Sequence, residues 1–224
     1  WGAADPAALS DQAMSLAQQK RFEEAERLWK QALDADANYF PALFNLGWMH
    51  VQQSSFAEGE FYLERAASAS ATDFNTHYAL GLARSKQGKH EAAIRAWRKA
   101  LALRPNQIKL MQVMSVEYSA GRYHREAAAL AEQAIELKPS DAALYLMAIT
   151  AYRLAGELGK SGEIAKRAVE RFPNSARTQF EHGWHLLKNG EYEQALPRIE
   201  KAMELDPDYE EPFFYYGDWL VNQG

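Results

Sequence analysis

Apolar side chains recur at helical spacing along most of this 224-residue chain, and residues 88–106, GKHEAAIRAWRKALALRPN, show the pattern clearly. Positions three and four residues apart are apolar there, and Pro105 follows the last of them. This predicts one amphipathic helix that ends before the proline. Much of its apolar face is alanine. Because alanine fills little space, such a face predicts that another helix packs against it at short distance.

The same arrangement returns every 34 residues, which is the sequence signature of a repeat architecture. Four prolines and six alanines keep this interval: Pro105, Pro139, Pro173 and Pro207, with Ala32, Ala66, Ala100, Ala134, Ala168 and Ala202. We therefore expect residues 1–224 to form a single repeat domain. Its repeats are predicted at about 6–39, 40–73, 74–107, 108–141, 142–175 and 176–209, with a half repeat at 210–224.

Each repeat is predicted to contain two helices. The first carries a pair such as Leu80-Gly81, and a turn follows at a glycine such as Gly88, Gly156 or Gly190. The residue after each closing position is Asn, Thr, Ser or Asp. These residue types cap helix N-termini, so the next first helix should start there or one residue later. Because the connections are only a few residues long, neighbouring helices must lie antiparallel.

These residues resemble the tetratricopeptide repeat family over about residues 6–224. Three repeats match much of its pattern, which consists of Leu-Gly, a small residue, a bulky residue, alanine and proline. The matching residues are Leu43, Leu46, Gly47, Gly59, Leu63 and Ala66; Leu80, Gly81, Ala93, Trp97, Ala100 and Pro105; and Gly183, Gly190, Tyr192, Ala195, Ile199, Ala202 and Pro207. The resemblance implies an all-α fold, a right-handed α-solenoid of antiparallel helix pairs whose first helices line the concave side.

The fourth and fifth repeats depart from the family pattern. Ile149 occupies a glycine place, Ala131 and Ala165 replace the bulky residue, and Gly121 comes one residue before the expected turn position. Local packing in these two repeats cannot be read from the pattern.

The first helices carry a second apolar stripe besides the one that packs within the repeat. A helix that is apolar on two faces has a second surface to bury. If the family geometry holds, this stripe lines a concave groove that binds a peptide or an amphipathic helix. Its members are Phe44, Trp48, Tyr78, Leu82, Val116, Leu146, Phe180, Trp184 and Phe214. An alternative is that Phe44, Tyr78 and Phe180 pack inside the repeats; Trp48 and Trp184 are the stronger candidates for contact with a partner.

Other functions find less support in the sequence. A net charge of −5 argues against nucleic acid as the partner, and no apolar run is long enough to insert in a membrane. The chain has no cysteine and no phosphate-binding or hydrolase motif. His182 and His185 are three residues apart and could share a metal, but the sequence specifies no third ligand. We expect these histidines to be packed or to face solvent, and we expect no metal, no cofactor and no catalysis.

Three hypotheses remain open. The first is a non-catalytic protein–protein interaction scaffold, the second is the repeat region of a larger enzyme, and the third is self-association through the C-terminal half repeat with Phe213 and Trp219. Gly224 lies one period after Gly190, so the chain is expected to be a piece of a longer protein. Its first residues, WGAADPAAL, fit either a cloning boundary or a processed end. The compartment is left open, cytoplasmic or exported.

Overall fold

The computed structural model describes the backbone of residues 5–223 and the side chains of residues 5–221. The first four residues and Gly224, on which some sequence-based expectations rest, lie outside this range. The described backbone forms thirteen α-helices joined by short turns, with no strand among them. We call odd-numbered helices first helices and even-numbered helices second helices, because each predicted repeat holds one of each and the half repeat holds a first helix alone.

Residue contacts divide the described chain between Gln107 and Ile108 into an N-terminal unit and a C-terminal unit. The division falls at a predicted repeat boundary. The N-terminal unit contains α1 (Pro6–Gln18), α2 (Phe22–Ala35), α3 (Phe40–Gln52), α4 (Phe56–Ala69), α5 (Phe74–Ser85) and α6 (His90–Leu103). The C-terminal unit contains α7 (Ile108–Ala120), α8 (His124–Leu137), α9 (Ala142–Leu154), α10 (Leu158–Arg171), α11 (Ala176–Lys188), α12 (Tyr192–Leu205) and α13 (Glu210–Gln223).

The observed caps of α5, α9 and α11 lie one residue after the predicted cap positions, so these helices begin one residue later than the latest start that the sequence predicts. The side chains of Asp73, Asp141 and Ser175 accept hydrogen bonds from backbone N–H groups in the first turns of α5, α9 and α11. Each such bond satisfies one of the N–H groups that a helix start leaves without a partner. The capping side chains therefore set where these helices begin.

The turn inside each repeat has one residue in the left-handed backbone conformation, again at intervals of 34. Gly88, Gly156 and Gly190 occupy it with φ of 70°, 76° and 78°. In the other three repeats the residues are Lys20, Ser54 and Arg122, with φ of 63°, 64° and 66°. The structure thus keeps the period at Arg122 although Gly121 stands next to it. Helix pairing determines this conformation even where the residue disfavours it.

The helices of a repeat approach one another at a seam of small residues. The six alanines of the 34-residue series are fully buried. A Cβ atom at Gly81 would lie 2.3 Å from the Trp97 indole, and one at Gly47 would lie 2.6 Å from Leu63 Cγ. Bulky side chains of the second helix therefore fill the space that glycine leaves on the first, which explains the alanine-rich pattern.

The fifth repeat reverses this arrangement of sizes. Ile149 is fully buried on the first helix, and the residues facing the seam from the second helix, Ser161 and Ala165, are small and also fully buried. Ser161 Oγ donates a hydrogen bond to the Ile149 carbonyl at 2.8 Å. Ser115 in the fourth repeat bonds across its own helix pair to the Ala127 carbonyl at 3.0 Å. In the fifth repeat the large residue is on the first helix and the small residues are on the second. Hydrogen bonds between the two helices of each pair add to the packing in the fourth and fifth repeats.

In each unit the first helices contact one another. α3 contacts both α1 and α5, and α9 contacts both α7 and α11. Second helices diverge, and between α4 and α6 they leave a cleft of about 720 Å³ that reaches down to α5. Within each unit, the first helices therefore lie on the more closely packed side, where their second apolar stripe is presented.

The close packing at the seam predicts that one methyl group added at Gly81 destabilises the fold. Gly81→Ala places a Cβ atom inside the Trp97 indole contact, and overpacking of this kind costs about 1–3 kcal/mol. We expect the melting temperature to fall by several degrees in thermal unfolding followed by circular dichroism. Gly159→Ala is the matched control, since no described atom lies within 4 Å of its Cβ position and alanine favours the helix. Equal melting temperatures for wild type and Gly81→Ala would show that the seam is not tightly packed.

Candidate functional site

The N-terminal unit presents an aromatic surface on α3 and α5. Phe44, Trp48 and Leu82 are half-buried and pack against a core cluster that includes Leu63 and Leu80. Phe44 stacks on Phe40, with ring centroids 6.2 Å apart. Each of these side chains has one side fixed in the core and the other at the surface. This arrangement gives a rigid apolar surface that costs little side-chain entropy on binding.

Tyr78 extends that surface along α5. Its ring stacks on Phe74 with centroids 6.1 Å apart, and the Arg104 guanidinium lies 4.4 Å from the centroid of Phe74. The Tyr78 backbone carbonyl accepts a hydrogen bond from Trp97 Nε1 at 3.0 Å. The buried Trp97 indole thus holds the backbone of Tyr78 in place, and the Tyr78 side chain is half-buried.

The C-terminal unit has a cavity of about 440 Å³ between α7 and α9. Val116 and Leu146, both predicted for the stripe, line it together with Met147 and Leu154. Val116 is 63% exposed and Leu154 is 55% exposed. Pockets for ligands commonly measure about 300–1,000 Å³ and have mostly apolar walls with a few polar groups. The cavity has this size and this character.

Trp184 lies on α11, and two cationic side chains lie within 6 Å of the centroid of its ring. The Arg153 guanidinium is 5.2 Å and Lys188 Nζ is 5.5 Å from its ring centroid. Arg153 Nη1 also pairs with Glu181 Oε2 at 3.0 Å. Burial raises the pKa of Glu181, and the positive charges of Arg153 and Arg177 partly offset that rise. The indole is half-buried, so its contact with a partner would occur in a positively charged setting.

Two stripe residues are placed differently from the rest. Phe180 is only 4% exposed, and its ring lies 5.5 Å from Tyr209 and 5.6 Å from Tyr215. It packs between α11 and the start of α13, which leaves little of its surface open to a ligand. Phe214 is 70% exposed and touches Tyr215, which leaves it open at the surface of α13.

His182 and His185 are both buried in the C-terminal unit. Ser161 Oγ lies 2.9 Å from His185 Nε2, and because the Ser161 hydroxyl donates to Ile149, His185 Nε2 must carry the proton here. Burial, with the nearby charges of Arg198 and Lys166, lowers the pKa of His182 to about 4. Burial and Arg153 lower the pKa of His185 to about 4. Both side chains are therefore neutral members of the core.

Within the part of the chain that the structure describes, no group of three His, Cys, Asp or Glu side chains could hold a metal ion. None of the helices in residues 5–223 is long and apolar enough to cross a membrane.

Sequence reasoning missed several residues of the cavity. Met147, Leu154 and Arg177 line it, but none was assigned to the stripe. Met147 follows a stripe position directly, and Arg177 stands one turn before Phe180 at the start of α11. A wider stripe that includes the first turn of each first helix would have found Arg177.

The buried histidines predict a pH dependence of stability. In the folded chain they take up protons only near a pKa of about 4, whereas the unfolded chain does so near 6.5. Between these values the unfolded state binds more protons, so the free energy of unfolding falls as the pH falls below about 6.5 and is fully retained above it. Glu181 acts in the opposite sense, because its raised pKa favours the folded state at low pH.

We expect the melting temperature to drop by several degrees between pH 7 and pH 5, since each histidine costs about 2 kcal/mol at the lower pH. In the double variant His182→Gln, His185→Gln this drop should shrink. A double variant with the same pH dependence as wild type would contradict the assignment.

Comparisons with known proteins agree with this architecture. Models of the tetratricopeptide repeat match residues 10–74 and 115–176, residues 74–107, and residues 176–209. No curated protein matches the sequence.

Solved structures of two proteins are similar in fold. A crystal structure of MamA is 23% identical, with a TM-score of 0.66 over 77% of this chain and 94% of that one. YrrB, described as a TPR protein with an unusual peptide-binding site, is 15% identical, with a TM-score of 0.67 over 84% of this chain and 97% of that one. The predicted all-α solenoid of helix pairs is confirmed, and the chain belongs to the tetratricopeptide repeat family.

Proposed function

We propose that this chain is a non-catalytic protein-interaction scaffold that binds a peptide or an amphipathic helix on its first helices. The observation that carries the proposal is the cavity of about 440 Å³ between α7 and α9. It opens on the stripe that the sequence predicts for partner contact, and its walls are mainly apolar. Such a cavity suits an apolar side chain of a bound segment.

The aromatic surface of the N-terminal unit supports the same proposal. Phe44, Trp48, Tyr78 and Leu82 are half-buried, so part of each side chain is available while its position is fixed. Large aromatic side chains held in this way are common anchors of binding energy at interfaces. YrrB is described as having a peptide-binding site, and tetratricopeptide repeats generally act without catalysis, which favours a scaffold over an enzyme.

A test begins with random peptides displayed on phage and selected on the immobilised chain, followed by fluorescence anisotropy titration of one labelled synthetic peptide. Leu146→Arg introduces a charge into the apolar cavity and should weaken binding at least tenfold, which corresponds to 1.4 kcal/mol. Leu137→Arg makes the same chemical change at a residue of α8 that is 42% exposed and should leave the affinity within about twofold. Equal affinities for wild type and Leu146→Arg would contradict the proposal.

Self-association through α13 is a second candidate. Phe213, Phe214, Leu220 and Val221 are 43%, 70%, 51% and 80% exposed, and no described atom lies within 4 Å of a Cβ position at Gly217. At the equivalent glycines Gly47, Gly81 and Gly183, a bulky residue of the second helix fills this space. Sedimentation velocity would support this candidate if Phe213→Ser with Leu220→Ser dissolved an oligomer that Leu146→Arg left intact, and a monomeric wild-type chain would exclude it.

A further inference from the structure

The cavity of the C-terminal unit has one charged residue in its lining, and that residue stands on a different helix from the apolar walls. Val116, Leu146, Met147 and Leu154 come from α7 and α9, whereas Arg177 comes from the first turn of α11. Arg177 is exposed. A ligand that fills the apolar part of the cavity would therefore have a guanidinium beside it at the rim.

Arg177 makes no ion pair within the described residues. Its guanidinium lies 5.7 Å from the centroid of the Tyr209 ring, a contact that orients the side chain and leaves its N–H donors without a carboxylate. Burial raises the pKa of the Glu181 carboxyl and the charge of Arg177 partly offsets that rise, but the hydrogen bond to this carboxylate comes from Arg153 at 3.0 Å. The positive charge of Arg177 is thus available to a molecule that arrives from solvent.

A second cation is close to the same face of α11. Lys188 Nζ lies 5.5 Å from the centroid of the Trp184 ring, and the Arg153 guanidinium lies 5.2 Å from the same centroid. The cavity therefore combines apolar walls with the positive charge of Arg177, although the whole chain carries a net charge of −5. Charge complementarity selects an acidic partner here.

We propose that the cavity binds a short acidic segment of a partner protein, in which a leucine, methionine or phenylalanine enters the cavity and a neighbouring aspartate or glutamate pairs with Arg177. Arginine suits this role because its planar guanidinium can donate two parallel hydrogen bonds to one carboxylate. The inference rests on the proposed function and adds the chemical class of the ligand. The apolar side chain supplies most of the affinity, and the ion pair at the rim sets the preference among peptides.

The selection from random peptides tests this directly. Peptides that bind wild type should be enriched in Asp or Glu within two residues of a large apolar residue. Selection on Arg177→Glu should replace this acidic preference by a basic one. Arg171→Glu is the matched control, because Arg171 is an exposed residue at the end of α10 that lies outside the cavity lining; it changes the net charge equally and should leave the preference unchanged.

A double-mutant cycle then measures the interaction between Arg177 and the acidic residue of the peptide. Replacing the selected glutamate of one labelled peptide by glutamine should weaken its binding to wild type by about threefold to tenfold, with a smaller effect at high salt. The same replacement should have no effect on binding to Arg177→Gln.

The outcomes separate the two proposals. An equal loss on wild type and Arg177→Gln, or selected peptides without an acidic preference, would overturn the inference about Arg177; sensitivity to Leu146→Arg would still support binding in the cavity. Binding that Leu146→Arg leaves unchanged would overturn both.

Discussion

The close approach of two helices at a seam of small residues is the contact on which the rest of the structure depends. Where Gly81 faces Trp97, the absence of a side chain on one helix makes room for the largest side chain on the other. This contact uses one face of each first helix and holds the pair in register. The neighbouring face of the first helix, with Tyr78 and Leu82, carries the other side chains, and we place the candidate site there.

Much of the fold could be predicted from the sequence because its determinants are local and periodic. Turn glycines such as Gly88, cap residues such as Asp73 and the buried alanines recur at one interval, so each repeat supports the interpretation of the others. Arg122 shows the limit of reading single residues. The neighbouring Gly121 suggested a displaced turn, but the packing of the helix pair keeps the left-handed residue at the repeat position.

The parts that could not be predicted depend on contacts between residues distant in sequence. Ile149 occupies a position where the family pattern has glycine. The small, fully buried residues Ser161 and Ala165 of the second helix leave room for its side chain. The spacing of Phe180 predicts a groove residue, whereas Tyr209, which directly precedes α13, and Tyr215 on α13 pack against its ring. Val116 and Leu146 were predicted for the stripe and do line a cavity. The cavity itself depends on the packing of successive first helices, which helical periodicity alone does not describe.

The central claim is that partners bind on the first helices, and methyl-resolved NMR of the full chain tests it most directly. During titration with a selected peptide, we predict shifts of the Val116, Leu146 and Leu154 methyl signals, which come from side chains that line the cavity. The exposed Leu103 and Leu137 methyl groups on second helices should not move. Shifts confined to Leu103 and Leu137, or to the exposed Leu220 and Val221 of α13, would contradict the account.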